Sequence, residues 1–183
     1  QHRQGKVLGD GWNKLAVQYG QGPGTGLGGT GPLTNTSDVK RWRMVEGIYT
    51  QLTPKFGGML TAVYQKDKSN VGDQTWTSLG GRLTYGVSKN FKFQAELGYD
   101  RVKPSGADER HLTKLTLAPT WAMKPDFWSR PELRLFYTYA RWNDAAASAA
   151  NGSTDSAVAS LSNTGVFAGK NHGATVGLQF EGW

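Results

Sequence analysis

Residues 126–144 read DFWSRPELRLFYTYARWND, and the reading of this stretch decides the fold. From Leu133 to Tyr139 every second residue is Leu, Leu, Tyr and Tyr, the period of a β-strand with one apolar face. The opposite face carries Arg134, Phe136 and Thr138 and continues through Ala140 to Trp142. A strand of a water-soluble sandwich hides its apolar side in a core and shows its polar side to water. Here the polar side mixes arginine with aromatics, and the apolar side ends in two tyrosines. Leu133, Leu135, Tyr137 and Tyr139 are expected to face lipid or a protein neighbour, and Arg134 to face water.

The same alternation recurs, giving about eight candidate strands. WNKLAVQYG (12–20) places Leu15, Val17 and Tyr19 on one face. KRWRMVEGIYTQL (40–52) has faces that are harder to separate and leaves room for a bulge. GMLTAVYQK (58–66), TWTSLGGRLTYGV (75–87) and NFKFQAELGYD (90–100) follow, the last with Phe93, Ala95, Leu97 and Tyr99 opposing Lys92, Gln94, Glu96 and Asp100. In HLTKLTLAPTWAM (111–123), Pro119 favours a bend or a strand end. The opening stretch is the seventh, and HGATVGLQFEGW (172–183) is the eighth. Residues 144–171 contain one weakly patterned helix candidate, SAVASLSNTGVF. Connections alternate between long (21–39, 144–171) and short (53–55, 88–90), the pattern of an up-and-down barrel standing in a membrane.

Composition agrees. The chain has 183 residues, enough for one domain, with 25 glycines and no cysteine. Its mean hydropathy of −0.53 reflects the lack of any apolar run long enough for a transmembrane helix. Membrane barrels alternate lipid-facing and lumen-facing residues, so a low average is no objection to one. Residues 1–11 carry no signal peptide, so an exported chain would be in processed form or a piece. The net charge of +7 comes from dispersed Lys and Arg, with no run longer than KRWR at 40–43, which argues against nucleic acid and suits a water-filled pore.

Enzymatic motifs are weak. GLGGTG at 26–31 satisfies G-x-G-x-x-G, but Pro32 and an unpatterned stretch follow instead of the helix that holds a pyrophosphate. His2, His111 and His172 have no metal-ligand spacing, and no serine stands on a strand-turn-helix elbow. Asn35 and Asn151 match glycosylation acceptors but read as plain loop residues.

Tryptophans carry more information. Trp12, Trp128 and Trp183 each stand at a short-turn end, where an interfacial girdle and a lumen-facing ring compete. Parity puts Trp12 with Lys14, Ala16 and Gln18 on the polar face, and Trp183 opposite Phe180. It puts Trp128 with Arg130, Glu132 and Arg134, provided Pro131 introduces no bulge. Beyond Val176, Leu178 and Phe180 the next lipid-side position is 184, where a further aromatic is expected. Arg82, Glu96, Asp100 and Arg134 alternate onto the polar face, and Lys114 and Arg141 are further polar groups. Aromatic rings beside such charges suit sugars, whose rings have an apolar face and a rim of hydroxyls.

GWNKLAVQYG, ELGYDRV, LTKLTLAPTW, FWSRPELRLFYTYARWND and HGATVGLQFEGW together resemble the sugar porin family, of the maltoporin and sucrose porin type. The WSRP stretch and the strand running on to YARW are the most specific part. The resemblance implies an all-β, antiparallel, up-and-down transmembrane barrel of eighteen strands, of which residues 1–183 form the C-terminal part of a single domain. It implies a homotrimer in the bacterial outer membrane, in contact with its lipid. Maltodextrins or sucrose, together with ions, would pass by facilitated diffusion, without enzymatic chemistry and without cofactor or metal. Sugars would move along an aromatic slide whose members here match Trp12, Trp128 and Trp183. A non-specific porin, an adhesin-like barrel and an outer-membrane hydrolase are the rival readings.

Overall fold

A computed structural model describes residues 1–153 and 156–182. Nine strands form one antiparallel sheet in strict chain order: β1 (His2–Val7), β2 (Gly11–Gln21), β3 (Lys40–Thr53), β4 (Phe56–Lys68), β5 (Gln74–Gly86), β6 (Phe91–Pro104), β7 (Arg110–Ala122), β8 (Glu132–Trp142) and β9 (His172–Glu181). Eight of them coincide with the alternating segments of the sequence. The ninth, β1, was not expected, because HRQGKV has no apolar alternation. It is held by main-chain pairing with β2, from His2 opposite Leu15 to Val7 opposite Gly11. β1 and β9 are the two edges of the sheet.

Register settles the faces. Trp12 lies across from Tyr49, Tyr49 from Met59, Met59 from Arg82, Arg82 from Glu96, Glu96 from Thr116 and Thr116 from Thr138. All of these therefore share one face. The other face presents Val17, Met44, Leu60, Leu83, Leu97, Leu115, Leu133 and Phe180, each open to the surroundings. Leu135, Tyr137 and Tyr139 belong to that outer face too. Meanwhile the fully enclosed side chains are polar: Lys92 and Thr120 are 0% exposed and Glu132 and Thr84 are 1% exposed. A sheet with its apolar residues outward and its charges enclosed is inverted relative to a water-soluble fold, and it fits a hydrocarbon surround.

Strands β2 to β9 run 10 to 14 residues, sufficient for a tilted bilayer crossing. Their regularity is broken at Pro119, which stays inside β7 instead of ending it. The ladder to β8 lapses at Ala118–Pro119 and resumes at Thr120, since proline has no N–H to donate. Turns at 8–10, 54–55 and 87–90 close one end of the sheet, which the 123–131 connection shares. The opposite end carries the loops at 22–39, 69–73, 105–109 and 143–171.

The last of these loops holds helix α1 (Asp144–Asn151), one segment before the helix candidate of the sequence. Asn143 caps it, its side-chain oxygen accepting from the Ala146 N–H at 3.1 Å. The candidate segment itself holds a 3-10 turn at Ser156–Leu161. Residues 32–39, after the G-x-G-x-x-G stretch, contain no helix, so no helix N-terminus is available to a pyrophosphate there.

Candidate functional site

The polar face gathers an aromatic cluster near the short-turn end. Trp12, the second residue of β2, faces Tyr49 of β3 with ring centroids 6.0 Å apart. Tyr49 in turn touches Phe127 at 5.3 Å and Trp128 at 5.4 Å, and those two rings meet edge to face at 4.8 Å. The Arg3 guanidinium lies 6.0 Å from the Trp12 ring, within cation–π reach. Phe127 and Tyr49 are buried, whereas Trp128 is 42% exposed. The cluster therefore has an enclosed base and an open ring.

Trp128 does not reach this place by strand parity. Strand β8 begins only at Glu132, and residues 123–131 form a connection that folds over the polar face. Pro125 and Pro131 lack donors and cannot extend a ladder, which explains why the strand alternation does not continue back to 128. The peptide between Arg130 and Pro131 is cis. Backbone bonds anchor the connection. Lys92 Nζ donates to the Asp126 carbonyl at 2.9 Å, and the Phe127 N–H donates to Gln51 Oε1 at 3.1 Å. Pro125 lies so close over Gly86 that no Cβ would fit there.

Beside the cluster, Arg82 and Glu96 stand directly across adjacent strands and pair at 2.8 Å. An open cavity of about 300 Å³ is bounded by Trp128, Phe127, Met59, Arg82 and Glu96. One wall is therefore aromatic and another offers a carboxylate and a guanidinium. Asp100 lies further toward the loop end, where it accepts from Trp76 Nε1 at 2.9 Å. Arg134 shares the polar face but is 8% exposed, bonded to Glu132 and, at 2.7 Å, to Glu181. It ties β8 to β9 rather than offering donors to passing solute. Lys114 is on the polar face, and Arg141, opposite Thr113, is on the outer one. Trp183 lies outside the described residues.

Tyr49 and Phe127 were not singled out in the sequence. Tyr49 shares parity with Arg41 and Arg43, but only its pairing with Trp12 fixes its face. Phe127 has no such signal, since it is placed by a connection.

Among the described residues no group of three His, Asp or Glu side chains could hold a metal. A protein-family model described as LamB porin matches residues 1–183. The chain belongs to the LamB porin family. This is a family of outer-membrane sugar channels rather than of enzymes, and it accounts for the inverted sheet: the apolar face meets the membrane and the polar face lines a pore.

Proposed function

We propose that this chain forms part of the wall of a sugar-selective channel, in which saccharides diffuse down their gradient along Trp12, Trp128 and Trp183. The observation that carries the reading is the exposed Trp128 ring, supported by Tyr49 and sharing a cavity with Arg82 and Glu96. A sugar ring would lay its apolar face on the indole while its hydroxyls exchange hydrogen bonds with the Arg82–Glu96 pair. Each contact is weak enough to be left, and successive contacts keep the sugar moving. Maltodextrins and sucrose are the substrate class, and small ions share the path. Short turns face the periplasm, long loops face the exterior, and the channel assembles as a homotrimer in outer-membrane lipid.

Trp128→Ala tests this reading in the complete channel in planar bilayers. It should weaken block of ion current by maltotriose or sucrose while leaving ion conductance in place. Loss of one stacking partner is worth about 1–1.5 kcal/mol, or about tenfold or less in affinity. Unchanged sugar affinity would favour a non-specific porin whose aromatics serve only the wall.

A further inference from the structure

The loop end of the polar face contains a second cavity of about 480 Å³, far from the Trp128 cluster. Trp76 lies six positions before Arg82 along β5, about 20 Å at the rise of an antiparallel strand. Resting on the sugar-channel reading above, we propose that this cavity is a separate saccharide subsite, taking one sugar ring at the long-loop mouth.

Its walls have the required chemistry. Trp76 lines the cavity with its indole N–H directed to Asp100 at 2.9 Å, which holds the ring in position. Trp142, at the end of β8, also lines it and is only 4% exposed. The Trp142 Nε1 has no hydrogen-bond partner among the described residues, and neither has Arg110 Nε. Helix α1 contributes Ala146, Ala149 and Ala150, spaced so that they share one helix face. Their small apolar side chains leave room for a ring and match its apolar side.

Charge argues for a neutral ligand. Arg41 is paired with Asp67 at 2.6 Å, and Gln74 bridges that pair to Arg110, donating to Asp67 at 3.0 Å and accepting from Arg110 at 3.2 Å. Arg41 and Arg110 balance Asp67 and Asp100 around the cavity, so no net charge selects an ion. Balanced donors and acceptors around an indole are what a polyhydroxylated ring needs.

The test uses the complete channel in planar bilayers, with maltotriose or sucrose added to the long-loop side. Trp76→Ala removes the platform, and Ala149→Phe fills the cavity from α1 while leaving every polar group in place. Each should raise the sugar concentration for half-block by about five- to tenfold from that side. Trp128→Ala is the comparator for the slide. If both cavity variants leave half-block unchanged while Trp128→Ala shifts it, the subsite is overturned and the sugar-channel reading stands. If no sugar blocks the unaltered channel, both fall. Should Trp76→Ala fail to fold, Ala149→Phe and Ala146→Phe, at two α1 residues that line the cavity, decide together.

Discussion

Glu109 sits in the loop before β7, where Arg101 grips it with two hydrogen bonds of 2.8 and 2.6 Å. That bidentate contact, with Lys103 also nearby, lowers its carboxyl from the ordinary 4.5 to about 2. A depressed carboxylate contributes stability that is fully present above its unfolded-state value and fades as pH falls through the folded one. The Arg101–Glu109 clasp should therefore hold down to about pH 4.5 and open toward pH 2. NMR titration of the Glu109 carboxyl in detergent micelles checks this, and a midpoint near 4.5 would contradict it. Single residues were legible from sequence wherever a regular strand placed them: Trp12, Arg82, Glu96 and Asp100 all lie on the polar face by parity. Tyr49 escaped because its strand mixes Trp42, Met44 and Ile48 with Arg41, Arg43 and Val45, so neither face reads as apolar from residue type alone.

The 123–131 connection shows how an element can be fixed by groups that no local pattern reveals. Glu132, 1% exposed, pairs with Lys92 at 2.9 Å and with Arg130 at 3.0 Å, and also bonds Arg134. Lys92 reaches on to the carbonyls of Asp126 and Ser129, so one carboxylate organises the base of the Trp128 cluster. Glu132→Leu would leave three enclosed cations short of their counter-charge, a loss of about 3–5 kcal/mol. Lower heat resistance in detergent and faster proteolysis after Lys124 are expected, and unchanged values of both would remove Glu132 from this role. Strand alternation cannot show such a network, because Lys92 and Glu132 are forty residues apart in sequence and separated by β7 in the sheet. The same limit applies to α1, an alanine-rich helix capped by Asn143, and to β1, which is held by main-chain pairing with β2 and the Arg3–Trp12 contact.

At the scale of the whole molecule the apolar exterior and charged interior are two consequences of one constraint, that backbone groups within a bilayer must be satisfied by the sheet itself. Along β2 to β9 the outer face is mostly apolar or aromatic between its rims, and Glu46 is a charged exception among the described residues. It lies at the middle of β3, across from Leu15 and Ala62, and the Asn13 side chain donates to it. A carboxylate facing hydrocarbon is unfavourable, and less so if a neighbouring protein covers it. Beside it, Ala62 and, on β5, Gly81 keep the surface low enough for a close protein contact. We therefore expect the complete channel to associate as a homotrimer, as the sugar porin resemblance implies. Native mass spectrometry in mild detergent should give three copies. Glu46→Leu makes the same surface uniformly lipid-like, so it should preserve the fold by circular dichroism and increase the share of dissociated chains. A monomer as the sole species of the unaltered protein would count against the assembly. A trimer unaffected by Glu46→Leu would leave the assembly standing and move its contact surface elsewhere on the barrel.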